Sequence, residues 1–581
     1  MLHGDFRLSL GAQPLDEGRT HFRVWAPRRQ RVEVCWQGPA GPRYLPLERS
    51  AGGYFEARLP VPTGALYTYR LDGGGCFPDP ASRFQPQGPH GPSQVVDPRR
   101  YAWQDGAWQG PALEGQVLYE LHVGAFSPEG DYAGVQRRLP ELRALGVTTL
   151  LLMPLHTFPG RFNWGYDGVS LFAPCAVYGE PEALRRLLDA AHALGLSVLL
   201  DVVYNHLGPD GNYLAQFSPG YFSTRYEGEW GEPTNFDEFP DAEGSRDFFI
   251  QNACYWVSEF HFDGLRLDAT QSLFDAGPRH VLQELSERVR RAAGARRVLL
   301  IAENEPQDLR CLQPPEQGGH GLDALWIDDF HHSAQVAAVG RPEAYLMDYR
   351  GTAQELLSCA LRNSLYQGQY YRWQKKPRGT PLLRTPAPRA VFYLRNHDQL
   401  ANLLRGEHLL QLAGPARTRA LTMLLLLLPQ TPLLFMGQEW AASTPFLFFV
   451  DHTPELMPLI ERGRNAYVSQ FDSARHALER EGHRVPFGEE AFRLSTLDWT
   501  ERERAPHRDL LRLHTELLRL RREDAVFAAQ AREQLLGAVL SEQALVLRYL
   551  GSEQQGDRLL ILNLGATLEL SPRPEPLLAP V

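Results

Sequence analysis

Four short apolar stretches of this 581-residue chain each run directly into a carboxylate. The four acids are Asp201, Asp268, Glu303 and Asp398, and Arg266 stands two residues before Asp268. Side chains two residues apart on a strand point to the same face, so Arg266 and Asp268 are predicted to lie side by side. Several carboxylates with one arginine suit cleavage of a glycosidic bond, in which one acid attacks the sugar and another transfers the proton.

The surroundings of these acids predict a division of roles. An arginine beside Asp268 favours the ionised form that a nucleophile requires. Glu303 follows an apolar strand and faces other acids, which raises the pKa of a carboxyl group and suits a general acid. Asp398 can bind sugar hydroxyl groups and favour the positively charged transition state. His206 and His397 also follow strands, and we expect them to donate hydrogen bonds to the same sugar.

A metal centre is a weaker interpretation of the same residues. Neither His206 nor His397 has the i, i+4 partner that is typical of a zinc site on a helix. Arg266 would also repel a cation bound among the acids. The sequence therefore predicts no catalytic metal and no cofactor.

The pattern of elements explains why these side chains should meet. From residue 117 onward, short apolar runs alternate with amphipathic helices, which is typical of parallel strands joined by helical crossovers. Eight such runs favour a closed (β/α)8 barrel, whose active site lies at the carboxyl ends of its strands. The strand candidates are residues 117–123, 148–153, 197–203, 264–267, 298–302, 324–327, 390–394 and 432–435.

Two further regions flank the predicted barrel. Residues 1–110 contain short alternating runs separated by Gly and Pro, which favours an N-terminal β-sandwich. A helix at residues 507–522 would close the barrel, and strand-like runs at 544–549 and 558–562 indicate a small C-terminal β domain. The predicted fold class is α/β, with a sandwich at 1–110, a barrel with loop insertions at 111–524 and a β domain at 525–581.

Composition and charge narrow the classes of partner. The net charge is −10, from 59 basic and 69 acidic residues, which argues against nucleic acid or an anionic membrane as a partner. Prolines 429 and 432 interrupt the longest apolar run before it could span a bilayer, and no secretory signal precedes the first strands. Six scattered cysteines do not form a disulfide framework or a zinc pattern. These features predict a cytoplasmic protein.

At the four strand ends the sequence resembles the α-amylase superfamily of retaining glycoside hydrolases. The similar stretches are residues 201–206, 264–269, 302–304 and 396–399. The resemblance implies Asp268 as the nucleophile, Glu303 as the acid/base and Asp398 as a stabiliser of the transition state. It also implies five residues that support the sugar at the point of cleavage, namely Tyr166, Asp201, His206, Arg266 and His397.

Other stretches resemble one family of that superfamily, the maltooligosyltrehalose trehalohydrolases. These stretches are residues 158–168, 207–213, 326–332 and 436–446, and residues 22–27 are similar to the carbohydrate-binding-like sandwich that precedes such barrels. The resemblance implies release of trehalose from maltooligosyltrehalose by hydrolysis of the adjoining α-1,4 bond. It also implies action after a maltooligosyltrehalose synthase. The sequence departs from the family pattern at Leu403, where Arg is usual, and at Gln438, where Glu is expected.

Side chains in the loops after strands two, six and eight are predicted to hold the leaving disaccharide. The apolar face of a sugar ring stacks on aromatic rings, while its hydroxyl groups need polar partners. The stacking candidates are Trp164, Trp326 and Trp440, and the polar candidates are Asp328 and Asp329.

Two alternative functions stay open at this point. A 1,4-α-glucan branching enzyme shares the layout but passes the glucan to a sugar hydroxyl instead of water. A non-catalytic glucan-binding protein would keep the barrel and lose part of the catalytic triad, whereas Asp268, Glu303 and Asp398 all stand here. Asn205 matches a calcium-ligating position of many α-amylases, but the segment after His206 lacks a second set of oxygen ligands, so no required metal is predicted.

Overall fold

The computed structural model describes residues 6–16, 18–38, 41–480 and 484–570. At its centre, eight parallel strands close into a barrel in which each strand pairs with the next and the eighth pairs with the first. In chain order the barrel strands are Leu118–Leu121, Thr149–Leu152, Ser197–Val202, Gly264–Leu267, Leu299–Ala302, Ala324–Trp326, Ala390–Tyr393 and Thr431–Phe435. The predicted fold class is confirmed, and the strand ends differ from the predicted ones by no more than two residues.

Alternation along the barrel strands brings the acids to one end of the barrel lumen. Leu118, Leu199 and Ile301 belong to a buried cluster inside the barrel. Glu120, Asp201 and Glu303 stand two residues after them, so they point to the same inner face at the carboxyl ends of their strands. The intervening residues on each strand face outward and pack against the helices.

Amphipathic helices surround the barrel. They are Tyr132–Leu145, Pro181–Ala193, Ala242–Glu259, Val281–Ala293, Asp328–Val339, Ala353–Arg362, Leu409–Leu427 and His507–Glu523. Between the fifth and sixth strands the described chain instead forms two short 3-10 helices, Leu309–Cys311 and Pro315–Gln317. No helix among the described residues has the length and apolar character needed to cross a membrane.

Shorter helices lie in the loops at the rim and near the C-terminus. They are Val123–Phe126, Leu214–Phe217, His397–Ala401, Met457–Val468, Asp472–Arg480, Gly488–Leu494 and Ala525–Ala528. The loop after the second strand also forms a two-stranded pair, His156–Thr157 with Ser170–Pro174. A second hairpin, Gln369–Tyr371 with Lys376–Arg378, precedes the seventh strand.

The N-terminal region folds as two facing antiparallel sheets. One sheet contains Gly11–Pro14, Thr20–Trp25, Tyr54–Leu59 and Glu48–Arg49, and the other contains Gly41–Pro46, Val32–Gly38, Leu66–Leu71, Cys76–Phe77 and Ser93–Gln94. The ring of Phe22 in the first sheet packs edge-on against Tyr67 and Tyr69 in the second. The predicted sandwich is confirmed, and Trp25 docks it against Tyr221 of the barrel.

A three-stranded antiparallel sheet lies at the other end of the chain. Its strands are Leu535–Ser541, Ala544–Tyr549 and Arg558–Asn563. The predicted C-terminal β region is therefore confirmed, and Tyr549 donates a hydrogen bond to the carbonyl of Leu427 on a barrel helix. The exact domain boundaries, after residues 110 and 524, stay a prediction.

Candidate active site

A single buried guanidinium joins three of the predicted acids. Nη1 of Arg266 donates to both oxygens of Asp201 at 2.9 Å and to Oδ1 of Asp268 at 2.8 Å. Nη2 lies 2.9 Å from Oε2 of Glu303. Strand register explains the cluster, because Asp201 lies directly opposite Arg266 and Ile301, two residues before Glu303, lies opposite it on the other side.

Asp268 has the surroundings of an ionised nucleophile. Burial opposes its ionisation, but the charge of Arg266 and hydrogen bonds to the carboxylate hold its pKa below the ordinary value. Nδ2 of Asn205 donates one of these bonds, at 2.9 Å to Oδ2. The carboxylate therefore remains charged and fixed while its outer edge stays open to the cleft.

Glu303 has the opposite electrostatic setting. Burial, together with the charges of Asp268 and Asp398, raises its pKa well above the ordinary value, and Arg266 only partly opposes this. The backbone N–H of Ala269, whose φ is +40°, donates to Oε2 of Glu303 at 2.9 Å. A carboxyl group that keeps its proton near neutral pH can serve as a general acid.

The two carboxyl groups occupy adjacent positions. Asp268 and Glu303 contact the two terminal nitrogens of the same guanidinium, Nη1 and Nη2 of Arg266. Retaining glycosidases hold their two carboxyl groups about 5–5.5 Å apart, whereas inverting enzymes separate them by about 6.5–9.5 Å to admit a water molecule. A shared guanidinium fits the close arrangement of a retaining pair.

Asp398 reaches the cleft from the seventh barrel strand. It lies in the first turn of the helix His397–Ala401, whose N-terminus is capped by the side chain of Asn396. The Asp398 side chain is 43% exposed, and its Oδ2 lies 3.5 Å from Nε2 of His397. It is thus the most open of the four acids and faces the space above the other three.

Tyr166 links the histidines to the acid cluster. Its hydroxyl donates to Oδ2 of Asp201 at 2.6 Å and lies 2.9 Å from Nε2 of His397, whose ring stacks on it at 5.2 Å. Nε2 of His206 is 3.1 Å from the Tyr166 carbonyl, and its Nδ1 contacts the side chain of Asn205. The structure therefore brings all five predicted supporting residues to the same end of the barrel.

Glu120 is a residue of this cluster that the sequence analysis missed. Its side chain is fully buried, and Oε1 lies 2.7 Å from Nδ1 of His397. A signal was present, because an acid two residues after Leu118 stands on the inner face of an otherwise apolar strand. The contact of Asn205 with Asp268 was missed as well.

Two of the five predicted leaving-group residues, Trp164 and Asp328, keep some exposed surface, although only 5% of Trp164 is exposed. The ring of Trp164 meets His397 edge-on at 5.3 Å and stacks on Phe446 at 5.5 Å. The Asp328 side chain is 19% exposed; it accepts from the hydroxyl of Tyr393 and lies 3.2 Å from Nη2 of Arg378. Burial raises the pKa of Asp328 to about 6.

The other three predicted leaving-group residues have almost no exposed surface, and their role in binding stays a prediction. Trp440 has no exposed surface and packs against Trp499 outside the cleft. Trp326 lies inside the barrel with its ring 4.4 Å from the guanidinium carbon of Arg266. Asp329 is also fully enclosed.

The structure supplies a guanidinium near Leu403, the position where the family usually has Arg, from another element. Leu403 follows the helix His397–Ala401, and Arg464 of the helix Met457–Val468 donates to the carbonyl of Ala401. Burial lowers the pKa of Arg464, and the charge of Asp398 opposes this effect. A cation therefore lies near Asp398 although position 403 does not supply it.

The geometry does not fit calcium at Asn205. Its amide nitrogen donates to Asp268, and its side-chain oxygen contacts the ring of His206. Among the residues that the structure describes, no group of three or more His, Cys, Asp or Glu side chains is arranged to hold a metal ion. We derive no step through a metal, and the expectation of a metal-free enzyme stays a prediction.

Comparison with known proteins relates this geometry to a family. Residues 95–254 match the model of the alpha amylase catalytic domain, and residues 9–94 match carbohydrate-binding module 48, the isoamylase N-terminal domain. The malto-oligosyltrehalose trehalohydrolase of Deinococcus radiodurans is 42% identical, over 97% of this chain and 90% of its own. That of Arthrobacter ramosus is 41% identical, over 88% of both chains.

The chain belongs to the malto-oligosyltrehalose trehalohydrolase family. The predicted resemblance is thus confirmed. A solved structure of a candidate alpha amylase from Salmonella typhimurium has a TM-score of 0.87 and 35% identity, and the match covers 97% of this chain and 94% of that one. This trehalohydrolase-family chain therefore shares its whole architecture, sandwich and barrel together, with that protein.

Proposed function

We propose that the chain hydrolyses the α-1,4-glucosidic bond next to the terminal trehalose of maltooligosyltrehalose and releases trehalose. The observation that carries this proposal is the buried guanidinium of Arg266, which contacts both Asp268, whose pKa is lowered, and Glu303, whose pKa burial raises. Membership in the trehalohydrolase family supports the choice of substrate. The reaction proceeds by double displacement with net retention at the anomeric carbon.

In the first displacement, a carboxylate oxygen of Asp268 attacks the anomeric carbon of the sugar at the cleavage point. The bond from that carbon to the trehalose oxygen breaks, and Glu303 gives its proton to this oxygen. Free trehalose leaves, and the remaining glucan is esterified to Asp268. The carboxylate of Asp398, with His397 beside it, stabilises the oxocarbenium-like transition state, in which positive charge develops on the ring.

The second displacement returns the enzyme to its starting state. Glu303, now ionised, takes a proton from water as the water oxygen attacks the same anomeric carbon. The bond to Asp268 breaks and the carboxylate is released with its negative charge. Each displacement inverts the anomeric carbon, so the shortened glucan keeps its original α configuration.

Product chromatography tests the proposal directly. The enzyme is incubated in parallel with maltooligosyltrehalose and with a plain maltooligosaccharide of the same length. We expect trehalose and a glucan shortened accordingly from the first substrate, at a kcat/KM at least about 10-fold above that for the second. Equal rates, or longer branched products that change iodine staining without new reducing ends, would instead indicate an amylase or a branching enzyme.

We also propose a setting for this activity. The substrate carries a trehalose unit at the end of a maltooligosaccharide, so a maltooligosyltrehalose synthase must act before this enzyme. The acidic net charge supports an enzyme without a nucleic-acid partner, and the scattered free cysteines support a cytoplasmic location. The proposed domains are residues 1–110, 111–524 and 525–581.

The buried position of Asp329 leads to a prediction about stability. Its carboxylate accepts from the hydroxyl of Tyr349 and from the backbone N–H groups of Leu365 and Tyr366, all at 2.7 Å. Asp329→Ala leaves these donors unpaired and removes a counter-charge 3.7 Å from Arg378. We expect a loss of about 3–5 kcal/mol of unfolding free energy, measured by urea denaturation.

The same variant also tests whether Asp329 contributes to substrate choice. Since it is enclosed, kcat/KM should fall by the same factor for maltooligosyltrehalose and for the plain maltooligosaccharide. Asp472→Ala is the matched control, because its side chain is 72% exposed and pairs on the surface with Arg475, and we expect almost no loss of stability. A changed substrate ratio with unchanged stability would contradict the structural role of Asp329.

A further inference from the structure

Both carboxylate oxygens of Glu120 contact the same histidine of the candidate active site. Oε1 lies 2.7 Å from Nδ1 of His397, and Oε2 accepts the backbone N–H of the same residue at 3.2 Å. The Glu120 side chain is fully buried on the inner face of the first barrel strand, and His397 takes up both of its oxygens. It therefore cannot touch a sugar, and any role in the reaction must act through His397.

The hydrogen-bond network requires protons on both ring nitrogens of His397. The Tyr166 hydroxyl has a single proton, which it donates to Asp201 at 2.6 Å. Its oxygen can then only accept from Nε2 of His397, 2.9 Å away. On the other side of the ring, an ionised Glu120 can only accept from Nδ1. A ring that donates at both nitrogens is an imidazolium.

We propose that Glu120 is a positioning residue of the glycosidic reaction, which keeps His397 as an imidazolium and holds its Nε2–H on the hydroxyl of Tyr166, beside Asp398. This inference rests on the function proposed above. A buried cation without a partner destabilises the protein. The carboxylate of Glu120 balances the charge of the His397 ring and, through the backbone N–H of His397, fixes the position of that ring. The charged ring then pairs with the carboxylate of Asp398, whose Oδ2 lies 3.5 Å from Nε2.

Charged and titratable groups surround His397 on several elements. They are Glu120 on the first barrel strand, His122 just after it, Tyr166 in the second loop, Asp201 on the third strand, Arg266 on the fourth strand and Asp398 on the adjoining helix. Burial opposes protonation, but Asp398 and Glu120 outweigh it and raise the pKa of His397 to about 9. Burial lowers the pKa of His122 to about 4, so that ring adds no charge at neutral pH.

The consequence of losing Glu120 extends beyond one side chain. His397 stacks on Tyr166, Tyr166 donates to Asp201, and Asp201 accepts from Arg266. This series of contacts reaches the guanidinium that holds Asp268 and Glu303. A neutral His397 could accept the Tyr166 proton instead, and Tyr166 would then release Asp201.

Glu120→Gln is the primary test, because the amide keeps the shape and one acceptor but loses the charge. We expect kcat for maltooligosyltrehalose to fall about 10–100-fold at neutral pH with little change in KM, the range typical of groups that orient a ligand through a hydrogen bond. The pKa of His397, followed by NMR of 13Cε1-labelled histidine and assigned with His397→Gln, should fall by more than one unit. The deficit in kcat should deepen as the pH rises from 6 to 9, since the variant loses the ring charge earlier.

Glu439→Gln is the matched control. Glu439 is also a buried barrel carboxylate and accepts from the hydroxyl of Tyr119, the neighbour of Glu120, at 2.9 Å. We expect a comparable loss of stability without a shift in the His397 titration or a change in the shape of the pH profile. Glu120→Asp keeps the charge at shorter reach, so it should retain most of the raised pKa and provides the test if the amide variant does not fold.

The outcomes separate this inference from the proposed function. An unchanged His397 titration in Glu120→Gln, or an equal shift in Glu439→Gln, would overturn the role of Glu120. The titration needs no substrate. If wild-type enzyme failed to release trehalose while His397 titrated as expected, the substrate assignment would fail and the link between Glu120 and His397 would stand.

Discussion

Asp268→Asn is expected to lower kcat for maltooligosyltrehalose by at least about 10⁵-fold, because loss of the covalent nucleophile costs about 10⁶-fold in a serine protease. The amide preserves the size of the side chain and can still accept from Arg266 and contact Asn205, so KM and the unfolding midpoint should change little. Kinetics of the variant give kcat and KM, and thermal unfolding of the same preparation gives the midpoint.

The Asp268→Ala variant, with its shorter side chain, tests from which face the anomeric carbon is attacked. With a maltooligosyl fluoride donor, azide can enter the space that the carboxylate leaves and attack the anomeric carbon once. We expect a β-glycosyl azide from the α-fluoride, whereas wild-type enzyme returns an α product after two inversions. An inverted product from the wild type, or more than about 1% residual activity in Asp268→Asn, would contradict the covalent route.

Glu303→Gln is expected to lower kcat for the natural substrate by about 10²–10⁴-fold, the usual contribution of general acid–base catalysis. Trehalose is a poor leaving group that needs a proton, while fluoride leaves without one. The first displacement should therefore remain fast with maltooligosyl fluoride. Equal losses of that step on both substrates would show that Glu303 does not act as the acid.

The pH profile supplies a second test of Glu303. Its raised pKa keeps the acid form present above the ordinary range, so wild-type kcat/KM should fall only as the pH rises through that raised value. On the acid side, activity should fall as the pH drops through the lowered pKa of Asp268. In Glu303→Gln the part of the alkaline decline that follows Glu303 should disappear, and only the decline near pH 9 that follows His397 should remain. Glu303→Ala with azide should yield an α-glycosyl azide, since the ester on Asp268 still forms.

The barrel and its acids could be predicted because buried parallel strands leave a simple pattern. Each strand reads as a continuous apolar run, and a polar residue appears only where the strand reaches the rim. Asp201, Asp268 and Glu303 all follow this rule, and the register then brings them to Arg266.

The leaving-group side of the cleft was harder to predict for a physical reason. Residues after a strand end were expected to form open loops, but a helix begins at Asp328 and turns Asp329 toward the protein interior. Trp440 lies in a short 3-10 helix that packs down onto Trp499. Sequence position locates a residue near the rim, but the direction of its side chain depends on tertiary packing.

Glu120, in contrast, belongs to the site but was not predicted from the sequence. A lone acid in the run Leu118–Leu121 resembles an ordinary interruption of a strand, and its partner His397 lies 277 residues away in the chain. Strand alternation places Glu120 on the inner face but does not reveal what lies above it. Only closure of the barrel, with the first strand near the seventh and beside the eighth, brings the pair together.

The guanidinium of Arg266 has a consequence for how charge is balanced through the reaction. In the proposed starting state, Asp268 beside Nη1 carries the negative charge and Glu303 beside Nη2 is neutral. When the ester forms, Asp268 becomes neutral and Glu303 becomes the anion. The total charge of the two carboxyl groups stays constant. The negative charge moves from the carboxyl group beside Nη1 to the one beside Nη2, and both nitrogens belong to the same fixed cation. Arg266 therefore does not have to move when the negative charge changes position. Each half-reaction begins with this guanidinium already in place as the counter-ion.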